Sequence, residues 1–189
     1  MAIRPASTVV LLHDGGDGIE VWLQQRSSSL AFAAGMYVFP GGRVDDGEDT
    51  SAIVYDVSAE MSVWGDSDAR VVREHLAAAV RETWEESGVR LDPAALVPWA
   101  RWVTPPGESR RFDARFYVAK CPAGQEPQPL TGEVHDGAWF VLRATVDAHV
   151  AGDLPMWSPT VSTLRSLMAF DEVAAALAAA PDHIEAVTG

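Results

Sequence analysis

The chain has 189 residues, 48% of them hydrophobic, which suffices for one sizeable core and sits at the lower limit for two, so a single domain over 1–189 is expected. Its formal net charge of −13 excludes a surface built for polymeric nucleic acid, which needs clustered Lys and Arg. The sequence has no apolar run of about eighteen residues and no basic-then-apolar leader, and its one cysteine, Cys121, has no disulfide partner, so a soluble cytoplasmic protein away from membranes is expected.

Residues 6–13 and 20–26, rich in Val and Leu, flank Asp14-Gly15-Gly16-Asp17-Gly18 and predict a β-hairpin. A strand over 36–39 runs into Pro40-Gly41-Gly42, and an irregular acidic stretch follows to about residue 67. Residues 68–87 give the clearest helix: Leu76, Val80 and Trp84 recur at every fourth position as its buried stripe, and Gly88 stands as C-cap. Strands are predicted over 96–103, 111–119 and 138–141, and a C-terminal helical segment over about 158–180. Strands interspersed with helices imply an α/β sandwich with a mixed sheet.

The helix contains Arg81-Glu82-Thr83-Trp84-Glu85-Glu86-Ser87-Gly88-Val89. At 3.6 residues per turn, Glu82, Glu85 and Glu86 share one face, opposite Leu76, Val80 and Trp84. Like charges at this spacing repel by a few tenths of a kcal/mol, and a divalent cation would relieve the repulsion. A carboxylate cluster with neither Cys nor His points to Mg²⁺ or Mn²⁺ rather than zinc. The plain alternative is a solvated acidic face. His75, on the carboxylate side of the helix, and His135, in a loop, read as solvated side chains. In the strand over 111–119, alternation places Arg111, Asp113 and Arg115 on one face and Phe112 and Ala114 on the other.

Gly42, five residues, Glu48, and then Arg81-Glu82-x-x-Glu85-Glu86-x-Gly88-Val89 resemble the two halves of the box that marks the Nudix hydrolases. The family pattern has seven residues between the halves, and here 32 separate Glu48 from Arg81; Thr83 stands where the pattern has an apolar residue. The resemblance implies a Nudix-type α/β/α sandwich with a mixed sheet and a loop–helix–loop catalytic motif, carrying an insertion at about 49–67. It also implies Mg²⁺- or Mn²⁺-dependent hydrolysis of a phosphoanhydride bond in a nucleoside-diphosphate-linked substrate. By the same resemblance the metal ligands are Glu82, Glu85, Glu86 and the Gly42 carbonyl, with Glu82 also able to assist the base. Arg81 orients a carboxylate, with Glu48 as its partner; Glu74, near the helix start, is the alternative source of the first box carboxylate. A base from outside the box points to Glu133 or Asp136.

Arg26 and the run Gly35-Met36-Tyr37-Val38-Phe39-Pro40-Gly41-Gly42 resemble part of the segment that marks coenzyme A pyrophosphatases. The second arginine of that segment falls here on Ala31, so Arg110, Arg111 or Arg115 would have to meet a 3′-phosphate. On this reading the favoured substrate is coenzyme A or acyl-coenzyme A, with substrate contacts from Arg26, Arg111 and Arg115. ADP-ribose or another nucleotide sugar is the alternative substrate, and a silent ligand-binding module the alternative function. Residues 49–67 hold Ile53, Val54, Tyr55, Val57, Met61, Val63 and Trp64, too apolar for a disordered linker. They are expected to fold as a packed rim of the cleft, or as the contact of a homodimer.

Overall fold

The computed structural model describes residues 2–27 and 34–189. β1 (Arg4–Gly15) turns back through Gly16-Asp17 into β2 (Gly18–Arg26) with Gly15 opposite Gly18, the latter at φ 107, a conformation open to glycine. The hairpin is as predicted, but its strands are paired to each other only from Leu12 and Val21 to the turn. Beyond that they part, and a bent segment fills the gap. Its first arm, β3 (Tyr37–Val38), pairs with β2 at Gln24 and Gln25. Its second, β4 (Gly41–Arg43), pairs with β1 at Ala6, Ser7 and Thr8. Phe39-Pro40 makes the corner, and the Pro40 carbonyl accepts the Val9 N–H at 2.9 Å.

Two helices follow, α1 (Ser58–Trp64) and α2 (Ala69–Ser87), then β5 (Val97–Val103), β6 (Phe112–Lys120) and β7 (Val134–Val141). The chain ends with α3 (Leu142–Ala151), α4 (Ser158–Leu167), α5 (Val173–Ala178) and β8 (Ala186–Thr188). The sheet is mixed: β1 runs parallel to β6, β5 pairs antiparallel with β6 and parallel with β8, and β7 lies antiparallel on β2. Alternating residues of β1 serve two cores. Val9 and Leu11 pack with Trp22, Tyr117 and α2, whereas Val10 and Leu12 pack with Leu23, Phe116 and the three C-terminal helices. Among the described residues, no helix is long and apolar enough to cross a membrane.

α2 has the predicted limits because Asp68 accepts the Arg70 N–H at 2.8 Å and Gly88 ends it at φ 75. Its buried stripe differs from the predicted one. Val72, His75, Leu76, Ala79, Thr83 and Glu86 face inward, while Trp84 is 46% exposed beneath the Arg90 guanidinium. Thr83 tolerates full burial because its hydroxyl donates to the Ala79 carbonyl at 2.7 Å. His75 is likewise not solvated. Its Nδ1 lies 2.9 Å from Ser7 Oγ, which also lies 2.8 Å from the His75 carbonyl oxygen. Burial, reinforced by Arg115, lowers the imidazole pKa to about 3.

Residues 49–67 fold, as expected, but not at the rim of a cleft. Ile53, Val57 and Trp64 are buried in the α2-side core, Tyr55, Met61 and Val63 pack against it, and only Val54 of the apolar set is exposed. Arg115 anchors the end of the segment: its guanidinium donates to both Asp66 oxygens at 2.7 and 3.0 Å and lies over the Trp64 ring.

Candidate active site

A cavity of about 410 Å³ lies where β1 and β2 part. One wall is apolar: Phe112, Ala114 and Phe116 from β6, Phe39 from the corner, and Trp157 and Pro159 at the start of α4. The opposite wall carries Glu82 and Glu86, which reach in from α2 past Gly41 and Gly42. Those glycines are required by close approach. A Cβ on Gly42 would collide with the Glu82 carboxyl, and one on Gly41 would stand 2.5 Å from the Ser7 carbonyl oxygen. Arg26, Arg43, Arg110 and Glu133 complete the polar lining.

Glu86 is buried, and its Oε2 accepts from the Gln24 amide at 2.5 Å and the Gly41 N–H at 3.0 Å. Loss of solvent outweighs those two donors and lifts its carboxyl to about 7. Burial also raises Glu82, against the pull of Arg81. Behind them Arg81 ties the site together. Its Nε and Nη2 grip Glu48 at 2.7 and 3.2 Å, its Nη1 reaches Glu82 at 2.9 Å and Glu85 at 3.1 Å, and Nη2 also donates to the Arg43 carbonyl at 3.0 Å. The grip of Glu48 is the chief reason its guanidinium holds its proton more firmly than usual. One residue thereby fastens the 43–48 loop to the middle of α2.

The NUDIX domain family model matches residues 72–157, which span the carboxylate helix and the strands beside the cavity. The chain is similar to the NUDIX hydrolase from Alicyclobacillus acidocaldarius, at 25% identity over 95% of this chain and 97% of that one, with a TM-score of 0.77. The match to the NUDIX domain is carried by residues 72–157. The chain's fold is the mixed α/β Nudix fold, and its reaction class is pyrophosphohydrolysis. Two more distant structures share the fold: a C. elegans Ap4A hydrolase binary complex, at 20% identity over 89% of this chain and 97% of that one (TM-score 0.58), and the NUDIX domain of Shewanella oneidensis NrtR complexed with ADP ribose, at 16% over 89% and 88% (TM-score 0.56).

Gly42, Glu82, Glu86, Arg26 and Glu133 line the cavity, and Glu48, Arg81 and Glu85 form the network behind it. Glu48 holds Arg81, whereas Glu74 is bonded to Arg70 at 2.8 Å, away from this network. Asp136 is outside the cavity lining, exposed on β7, where it accepts the Gly137 N–H at 2.8 Å. Two expected substrate contacts are also outside it. Arg111 donates to the Thr104 carbonyl at 3.1 Å, and Arg115 is buried against Asp66 on the opposite face of β6. Ala31 lies outside the described residues.

The sequence reading missed Gln24, Arg43 and Trp157. Gln24 opens the polar end of β2, Gln24-Gln25-Arg26, so nothing in the sequence marked it as buried. Arg43, next to Gly42, had proximity alone.

Among the described residues, no three His, Cys, Asp or Glu side chains are already gathered to hold an ion. Arg81 lies between Glu82 and Glu85 and engages both. The donor chemistry nonetheless fits a hard divalent cation. The side is all oxygen, Gly42 leaves room for the Glu82 carboxylate against the backbone, and Glu86, lifted to about 7, lacks a directly bonded cation.

Proposed function

We propose that this Nudix hydrolase cleaves the phosphoanhydride bond of a nucleoside-diphosphate-linked small molecule with the help of Mg²⁺ or Mn²⁺. The observation that carries the reading is the approach of two buried carboxylates, Glu82 and Glu86, to the backbone of Gly41-Gly42 at the mouth of a part-apolar cavity. Glu82, Glu85, Glu86 and the Gly42 carbonyl would hold the cation. A bound divalent ion supplies an activated water and stabilises charge on the bridging phosphate oxygens.

The chain's own contribution is positioning. Arg81 keeps Glu82 and Glu85 in place and holds the glycine loop through Glu48 and the Arg43 carbonyl. Arg26, Arg43 and Arg110 offer cationic donors to phosphate oxygens. Glu133 is the preferred outer base over Asp136, because it lines the cavity and Asp136 does not. Residues 49–67 are read as an insertion between the halves of the box, within one domain.

The two distant fold relatives are an Ap4A hydrolase and a NUDIX domain complexed with ADP ribose, which supports the coarse substrate class. Coenzyme A is the finer expectation, with the 3′-phosphate assigned to Arg110 in place of Arg111 and Arg115. Metal-supplemented product analysis tests it. Cleavage to 3′,5′-ADP and a phosphopantetheine supports coenzyme A, AMP with ribose 5-phosphate selects ADP-ribose, and tight binding of either without products identifies a silent module.

A further inference from the structure

Gln24 is fully buried near the end of β2, opposite Val38 of β3 on one side and Gly137 of β7 on the other. A buried amide is costly unless its polar atoms are bonded, and among the described residues Oε1 has no partner. An apolar side chain of the same length would fill the site without that defect. What distinguishes the amide is its Nε2, 2.5 Å from Glu86 Oε2.

The same oxygen also accepts the Gly41 N–H at 3.0 Å, so among the described residues both bonds to the carboxylate fall on Oε2. Among the described residues, Oε1 of Glu86 receives no hydrogen bond, and Glu86 lines the cavity. Two donors from different strands, β2 and β4, thus fix the rotation of one carboxylate. Neither belongs to the acidic helix.

We propose that Gln24 is a positioning residue for the metal centre: its amide holds Glu86 Oε2 against the sheet, so that a divalent cation is met through Glu86 Oε1. The proposal rests on the metal-dependent reading above. Partners that orient a ligating carboxylate from behind typically set metal affinity by about 10–100-fold.

The test is Mn²⁺ binding to the nucleotide-free protein, read by electron paramagnetic resonance, for the parent and Gln24→Met. The expected result is a Kd for Mn²⁺ weakened about 10–100-fold in Gln24→Met. A Kd within about twofold of the parent's overturns the role of Gln24 while leaving the metal reading intact. A parent that fails to bind Mn²⁺ overturns both. A second measurement needs no variant: the Gln24 side-chain amide resonances of the parent should shift on titration with Mg²⁺. Resonances unmoved at saturating Mg²⁺ overturn the proposal even if Gln24→Met does not fold.

Discussion

At the scale of single residues, the chemistry concentrates on a carboxylate that the helix buries rather than displays. Glu86 faces the sheet, where burial lifts its pKa to about 7. A metal ligand must be ionised. Metal affinity and kcat/KM should therefore rise as pH increases through about 7, with the acid limb moving to lower pH as Mg²⁺ is raised; a limb insensitive to Mg²⁺ would detach Glu86 from the metal. Glu86→Gln keeps the shape of the side chain and removes its charge. It is expected to lower kcat by roughly 100-fold or more, corresponding to about 3 kcal/mol of barrier, with no loss of melting temperature at pH 8. Steady-state rates and melts on the same sample check both halves.

His75 gives a second residue-scale prediction, from a pKa shifted the other way. Its folded pKa is depressed to about 3 from the ordinary 6.5, so between those values the unfolded chain binds a proton that the folded chain refuses. The stability it contributes is present above about pH 6.5 and is lost as pH falls toward 3. Compared with His75→Gln, the parent should lose stability by about 1.4 kcal/mol per pH unit between pH 6 and 4. Parallel denaturation curves for the two proteins across that interval would contradict the burial of a neutral imidazole at this position.

At the scale of elements, what was legible in the sequence was what local chemistry fixes. The hairpin is carried by glycine in its turn, and α2 by Asp68 and Gly88 at its ends. The elements that escaped notice lack such signals. α1 and α3 begin at Val57 and Val141 with no capping side chain, β4 is two glycines and an arginine held by pairing with β1, and β8 is three residues long. The buried stripe of α2 was misread because it runs through Ala79, Thr83 and Ser87, small residues that hydrophobicity alone does not mark.

Alternation in β6 correctly grouped Asp113 and Arg115 on one face; Arg111 precedes the strand. It could not tell that the cavity opens on the other, beside Phe112, Ala114 and Phe116. The consequence is that Arg115 is part of an anchor. With Asp66 removed, its guanidinium would be left buried without its carboxylate, a defect of about 3–5 kcal/mol. Asp66→Ala should lower stability by that order while the folded fraction keeps its kcat, since neither partner lines the cavity. Hydrogen exchange would locate the loss: amides of α1 should be protected in the parent and lose protection first in the variant. Fast exchange through α1 in the parent would mean that the packing of Ile53, Val57 and Trp64 does not hold this segment.

At the scale of the whole molecule, the charge of the chain and the charge of its site point in opposite directions. The protein carries a formal −13, and its proposed substrate is also an anion. Arg26, Arg43 and Arg110 line the cavity, but a local set of cations acts over a short range, whereas the net charge acts on a substrate still approaching through solvent. At physiological salt the Debye length is about 8 Å, so repulsion over longer distances is already partly screened. Below that ionic strength it is not. For a nucleoside-diphosphate-linked substrate at saturating Mg²⁺, kcat/KM should therefore rise as KCl is increased from about 10 to 150 mM. The kcat should change much less, because a bound substrate no longer crosses the outer field. If kcat/KM instead falls steeply over this range, attraction by the three arginines governs capture. The long-range field of the chain would then have no part in selecting what enters the cavity.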